Sequence, residues 1–196
     1  GCVPSKTLLN SSKKIKPISG VGVNESGERS LDLDELMTRK NKVVSTLTNS
    51  IKNSLKKSGV TVFEGEATLD KKDENSFSVL VEENLISAKN IIIATGSTPV
   101  IPKIDSVEKN IVVTSSELLS TDSIPKSLVV VGGGVIGLEM ATFFSESGSE
   151  VTVVEYASQI ATGFDADCVK ILSASLKKMG IKVLTNTEVI GIEDDE

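Results

Sequence analysis

Apolar positions between residues 32 and 57 recur at helical spacing: Leu33, Leu36, Met37, Val43, Val44, Leu47, Ile51 and Leu55. Such a stripe predicts one long amphipathic helix. Asp32 with Glu35 has the form of a capping box at its start, and Gly59 suits its end. A shorter helix is predicted over residues 4–15, with Ser5 as its cap and Leu8 and Leu9 as apolar positions. Residues 17–29 are rich in Gly and Ser and read as a loop. Strand-like runs follow at 60–64, 77–81 and 91–94, separated by charged turns such as 70–75. Together they predict a small antiparallel meander that leads into one buried strand.

Thr95-Gly96-Ser97 breaks the last of these runs, and Pro99 and Pro102 mark an extended connection. A short helical turn is expected at 116–119. After Pro125 the pattern changes. Residues 128–131 form a continuous apolar strand, followed by glycines and a helix to about residue 147. Another apolar strand covers 151–154. An amphipathic helix covers 165–179, with Val169, Leu172 and Leu176 on one face. A third strand is predicted at 181–184 and a fourth at 187–192. Strands alternating with helices imply an α/β fold with a parallel sheet and right-handed crossovers. No short-period repeat and no low-complexity segment interrupts the 196 residues.

Composition narrows the classes open to such a fold. With 39% hydrophobic and 24% charged residues, the chain is ordinary for a globular protein. A formal net charge of −6 and no basic stripe argue against a nucleic-acid partner, and five Phe, one Tyr and no Trp leave little for bases to stack on. No apolar run is long enough to span a bilayer, so no membrane role is expected. The two cysteines, Cys2 and Cys168, make no disulfide framework, and a reducing compartment is the simplest expectation. The absence of histidine removes the usual general base and most metal sites, so no metal is expected.

Gly132-Gly133-Gly134-Val135-Ile136-Gly137 fits the pattern G-x-G-x-x-G. An apolar strand precedes it and a helix follows. The next strand ends at Glu155, about twenty residues past the last glycine, as a dinucleotide fingerprint requires. Gly132 permits the tight strand-to-helix turn, Gly134 lets a pyrophosphate approach the backbone, and Gly137 lets the helix pack closely on the sheet. Phosphates would sit at the helix N-terminus, where free N–H groups favour anions. Glu155 would accept hydrogen bonds from both ribose hydroxyls and repel a 2′-phosphate, which favours NAD over NADP. A solvated acidic strand end is the other reading of Glu155, and a glycine turn without nucleotide is the other reading of the loop.

Cys2 lies in Gly1-Cys2-Val3-Pro4-Ser5-Lys6, at the start of a predicted helix. A helix start favours the anionic, reactive form of a thiol. Lys6 is one helical turn on. An inert terminal thiol and a solvated surface lysine are the plain readings of the same two residues.

These stretches, with residues 1–9, 94–97, 132–140 and 151–155 in the same order and spacing, resemble the flavoprotein disulfide reductases, and among them the dihydrolipoamide dehydrogenases. Ser5 speaks against the glutathione reductases, and Gly137-Leu138-Glu139-Met140 leans toward the lipoamide enzymes. The resemblance implies two Rossmann-like nucleotide-binding domains, both incomplete: an FAD-binding domain at 1–121, which includes the meander, and an NAD-binding domain at 122–196. It implies that Cys2 is the cysteine nearest the flavin, and that Lys6 sits by the flavin and forms a buried pair with Glu139. Thr95, Gly96 and Ser97 would pass the FAD, and the backbone of Ala67 would meet its adenine. Val189 would lie near the NAD adenosine, although it suits a strand core equally well. Cys168 matches nothing redox-active in the family and reads as a plain helix residue.

The resemblance also implies what lies outside the 196 residues. A first redox cysteine is expected five residues before Cys2, with an FAD glycine fingerprint upstream and a dimerisation domain with a His–Glu base downstream. By itself the stretch is then expected neither to turn over lipoamide nor to hold FAD tightly. The activity implied is oxidation of protein-bound dihydrolipoamide with reduction of NAD. The implied partners are the lipoyl domain of a 2-oxo acid dehydrogenase complex and a second copy of the full-length chain. The location implied is the mitochondrial matrix in a eukaryote or the cytoplasm in a bacterium. Mercuric reductase, a transhydrogenase-like member without the redox pair, and a non-catalytic dinucleotide-binding module are the alternatives.

Overall fold

The computed structural model describes residues 1–14, 31–73, 76–102, 104 and 112–192. They form two compact units, one of Gly1–Ser45 with Pro99–Glu196 and one of Thr46–Thr98. The predicted loop at 17–29, the end of the first helix near Ile15 and the tip of the turn at 74–75 fall outside the described residues.

The first unit is built on a parallel sheet, β4-β5-β6, comprising β4 (Ser127–Val131), β5 (Glu150–Val154) and β6 (Lys182–Leu184). The helices α4 (Val135–Glu146) and α5 (Ala166–Lys178) alternate with these strands, as the apolar runs predicted. Val130, Val151 and Val153 of the sheet are buried with Phe143 and Phe144 of α4 and Leu176 of α5. The two phenylalanine rings meet edge to face, with centroids 5.0 Å apart. Each such side chain contributes about 1.5–3 kcal/mol by leaving water. Helix α1 (Cys2–Ser12) adds Leu8 to the same cluster, and α2 (Leu33–Lys57) adds Leu36. The short α3 (Ser115–Leu118) starts with a full capping box between Thr114 and Glu117.

The start of α2 follows its caps. The Glu35 amide donates to Asp32 Oδ1 at 2.9 Å. Gly59, at φ 73°, takes the left-handed turn that ends the helix. Its acidic first turn and basic last turn both suit the helix dipole. The apolar stripe is buried only early: Leu36 lies in the core, whereas Leu47, Ile51 and Leu55 are exposed.

The second unit contains the expected meander, β1 (Ala67–Asp73), β2 (Ser76–Val81) and β3 (Asn84–Ala88), all antiparallel. Only β2 was predicted as a strand. Residues 60–64 and 91–94 lie in no helix and no ladder. Apolarity favours a strand, but a strand also needs a neighbour for its N–H and C=O groups, and these runs have none among the described residues. Ile92 and Ile93 are accordingly exposed. The charged stretch at 70–73, expected as a turn, instead ends β1.

Two further expectations are corrected. Residues 187–192 form no strand: the Thr187 amide donates to the Glu155 carbonyl oxygen, and Gly191 makes an isolated bridge. Ser5 does not cap α1. Gly1 is the N-cap, and Ser5 lies inside the first turn with its hydroxyl turned to α4.

Candidate functional site

Cys2 is the first residue of α1. Pro4 falls in the first turn, where a missing N–H leaves no helical bond unmade. Ser5, Leu8 and Ser12 are the buried residues of α1, so the helix seats a narrow small–large–small face on the core. Cys2 and Lys6 are exposed. They open onto a groove of about 380 Å³ that Thr7, Asn10, Arg39 and Val43 also line.

Glu139 of α4 joins this turn of α1 from the other side. Its Oε2 accepts from the Ser5 hydroxyl at 2.8 Å, and its Oε1 is paired with the Lys6 ammonium. The Ser5 hydroxyl has the Cys2 carbonyl oxygen, at 3.2 Å, as its other acceptor. One carboxylate therefore holds the residues three and four positions after the thiol. The Glu139 hydrogen bond holds the Lys6 ammonium above the usual lysine range against a smaller opposing desolvation, and the charges of Glu139 and Cys2 add to the effect. For Glu139, desolvation is the largest single influence and pushes its carboxyl up. The Lys6 and Ser5 hydrogen bonds and the Lys6 charge together outweigh it and hold the group below the usual carboxylate range.

The resemblance implies a buried pair, but the pair is not buried. The side chain of Lys6 is 58% exposed and that of Glu139 is 20% exposed. A lysine stem is long enough to reach a sheltered carboxylate from the solvent side. What results is a fixed positive charge one helical turn from an exposed thiol, an arrangement suited to stabilising a developing negative charge there.

The glycine loop joins β4 to α4. Gly132 has φ 104°, a conformation that other residues rarely take. A Cβ at Gly137 would meet the Gly132 carbonyl oxygen at 2.4 Å, so α4 can lie this close only with glycine there. A Cβ at Gly134, the N-cap of α4, would meet nothing within 4 Å, so the backbone there is open to an approaching group. Gly133 is also constrained, because a Cβ would lie 2.7 Å from Ile160 Cγ2. The loop thus has the shape that a pyrophosphate cradle needs.

Glu155 stands at the end of β5 and binds backbone on both sides. Its Oε2 accepts the Gly133 N–H at 2.6 Å, and its Oε1 accepts the Ala157 N–H at 2.7 Å. It therefore staples the glycine loop to the segment after β5. A carboxylate has about four lone-pair sites, so acceptor capacity remains for ribose hydroxyls. Sequence reasoning singles out Glu155 for a ribose but not for this staple, because the pattern of a strand end does not reveal which backbone amides face it.

The remaining predicted residues fall into two places. Gly132, Gly134, Val135, Ile136, Gly137 and Val189 line one cavity of about 1020 Å³, whose other walls are mostly apolar; Gly133 and Glu155 are not on its lining. In the second unit, Ala67 opens β1, and Thr95, Gly96 and Ser97 lie in an exposed segment outside any helix or strand, in which Gly96 has φ 77°. Cys168 is exposed near the start of α5. Among the described residues no cluster of His, Cys, Asp and Glu could hold a metal ion, and no helix is long and apolar enough to cross a membrane.

A parallel βαβαβ sheet with a glycine loop and an acidic residue ending the second strand is the dinucleotide-binding class of α/β fold. The chain belongs to the pyridine nucleotide-disulphide oxidoreductase family, whose family model matches residues 1–196. It is 43% identical over 201 residues to a dihydrolipoyl dehydrogenase of Acholeplasma laidlawii, covering 99% of this chain and 59% of that protein. It is 42% identical over 205 residues to a dihydrolipoamide dehydrogenase of Chaetomium thermophilum, covering 98% of this chain and 39% of that protein. Among solved structures it is similar to the HOCl-induced flavoprotein disulfide reductase RclA from Escherichia coli. The TM-score is 0.77 at 29% identity, over all of this chain and 41% of that one. The chain thus spans between 39% and 59% of the length of these relatives.

Proposed function

We propose that this chain is the part of an NAD-dependent dihydrolipoyl dehydrogenase that carries one redox cysteine and the nicotinamide-nucleotide loop. The observation that carries the reading is the similarity over almost the whole chain to dihydrolipoyl dehydrogenases, at 35% to 43% identity, against 29% for the disulfide reductase RclA. The arrangement of Glu139, Ser5 and Lys6 beside the exposed Cys2 supports it, since a thiol–disulfide relay needs an accessible thiol and a fixed counter-charge.

In this reading residues 1–121 serve FAD and residues 122–196 serve NAD. Lys6, Ala67, Thr95, Gly96 and Ser97 would hold FAD. Gly132 to Gly137, Glu155 and Val189 would hold NAD, with Glu139 joining the two sets through Lys6. The open approach to Gly134 and the close packing at Gly137 fit a dinucleotide. FAD, when bound, supplies two-electron chemistry between a dithiol and a nicotinamide. Cys2 acts in thiol–disulfide exchange, Lys6 stabilises negative charge near it, and Glu139 and Ser5 hold Lys6 and the helix turn in place. Over a full cycle dihydrolipoamide loses two electrons and two protons, NAD+ gains a hydride, and one proton is released.

The substrate class is a protein-bound dihydrolipoyl group, so the partner is a lipoyl domain of a 2-oxo acid dehydrogenase complex, and the working enzyme is a homodimer. It would operate in the mitochondrial matrix of a eukaryote or the cytoplasm of a bacterium. Alkylation of Cys2 in the reduced full-length gene product tests the reading. Loss of dihydrolipoamide oxidation in proportion to labelling supports it. Full activity with Cys2 fully labelled would reduce the chain to a non-catalytic nucleotide module.

A further inference from the structure

Among the hydrogen bonds that join α1 to α4, two run from a serine to a glutamate, and they repeat. Ser5 Oγ donates to Glu139 Oε2 at 2.8 Å, and Ser12 Oγ donates to Glu146 Oε2 at 2.7 Å. Both donors are buried, Ser5 at 4% and Ser12 at 0% exposure. The donors are seven residues apart on α1, and the acceptors are seven apart on α4, so each bond spans the same sequence separation of 134. Equal steps on both helices mean that α1 and α4 run in the same direction. They stay in contact over two turns, about 10 Å of helix axis. Leu8, fully buried, sits between the two serines and shares the core cluster with Phe143 of α4.

We propose that Ser12 and Glu146 are positioning residues that fix the axial register of α1 on α4 and so keep Lys6 at Glu139. Because the steps match, a slip of α1 breaks both rungs together. A buried hydroxyl separated from its acceptor is unfavourable, so the two rungs oppose a slip jointly. Ser12 retains the Leu9 carbonyl oxygen, 3.2 Å away, as a weaker local acceptor, which satisfies the hydroxyl without fixing any register. The first rung lies at the thiol and the second about 10 Å from it, so the second acts on the site only through the helix.

The inference rests on the proposed function for its activity readout, and a second readout is independent of it. In the full-length gene product, Ser12→Ala and Glu146→Ala are predicted to lower kcat for dihydrolipoamide oxidation about 5–10-fold, below the roughly 100-fold that a full ångström of misplacement can cost. KM for NAD should not change. Glu146→Gln keeps an acceptor oxygen and should restore most of the rate. In a Glu139→Gln background Ser12→Ala should have no further effect on kcat, although sites this far apart usually act additively. The independent readout is the alkylation rate of Cys2 against pH, followed by peptide mass so that Cys168 is counted separately. Ser12→Ala should shift the Cys2 profile and leave that of Cys168 alone. If both alanine variants fold with a lower Tm but keep the wild-type kcat and Cys2 profile, the second rung is structural only and the inference is wrong. A shifted Cys2 profile in a protein that does not oxidise dihydrolipoamide would sustain the inference while overturning the proposed function.

Discussion

The Lys6 ammonium and the Glu139 carboxylate pair across 133 positions of sequence, and so tie the turn that carries Cys2 to the helix that opens on the glycine loop. One carboxylate thereby connects the thiol end of the first unit to its nucleotide end.

Removing that carboxylate's charge should be felt at both ends. Glu139→Gln is predicted to lower kcat at least about tenfold, and Lys6→Met by a similar factor, with the double variant no worse than either single. Steady-state kinetics on the three variants checks this, and additive losses would contradict it. The pair also has an acid signature. Glu139 lies below its ordinary value of 4.5 in the folded chain. Its contribution to stability is therefore complete above 4.5 and is lost as pH falls through the lowered value. Urea midpoints for Glu139→Gln should follow wild type with a flatter acid limb.

Glu155 staples the glycine loop, and one substitution tests that staple apart from the proposed ribose contact. Glu155→Gln keeps one acceptor oxygen and donates where an acceptor is needed, so the bond to either Gly133 or Ala157 is lost. The expected loss is about 1–3 kcal/mol of stability. Calorimetry on the chain without nucleotide reads that effect alone. A stability equal to wild type would mean that the staple contributes nothing.

Gly137→Ala tests the close approach of α4. The new Cβ would lie 2.4 Å from the Gly132 carbonyl oxygen, and backbone cannot yield as a side chain can. Overpacking of this kind costs about 1–3 kcal/mol, and the shift should reopen the loop and raise KM for NAD. Gly134→Ala, whose Cβ would meet nothing, should keep wild-type stability and lose only nucleotide affinity. Equal Tm values for the two variants would contradict the assignment.

Lys40 is buried on α2, and its ammonium donates to the carbonyl oxygen of Leu119, the C-cap of α3. Burial holds it below the ordinary lysine value of 10.5. The unfolded chain then binds more protons than the folded one between the lowered value and 10.5, so stability rises with pH across that window. Lys40→Met should remove this slope. Denaturant midpoints taken at several alkaline pH values would show it, and an unchanged slope would assign the dependence to another group.

The parallel half of the first unit was legible because each signal agreed with its neighbour. The runs that became β4, β5 and β6 are apolar and short, glycines punctuate them, and the helices between carry one apolar face. The second unit was harder to read. β1 carries Asp70, Lys71, Lys72 and Asp73, charges that signal a turn, yet its backbone is paired with β2. The isoleucines at 91–93 signal a buried strand, yet they find no ladder among the described residues. Pairing is decided by what lies alongside, and local pattern does not contain that. At the site, Cys2, Lys6 and Glu155 stand out by their sequence setting and Glu139 by the family resemblance, but Ser5 reads as a cap. The matched spacing of Ser5 with Ser12 and of Glu139 with Glu146 was present in the sequence. It acquires meaning only when α1 and α4 are known to pack side by side.

The most direct measurement is dihydrolipoamide-dependent reduction of NAD and of NADP, side by side, on the full-length gene product and its Cys2→Ser variant. The account predicts rapid reduction of NAD, little of NADP, and none of either without the thiol. Bound flavin with no dihydrolipoamide turnover, or equal use of both nucleotides, would contradict it.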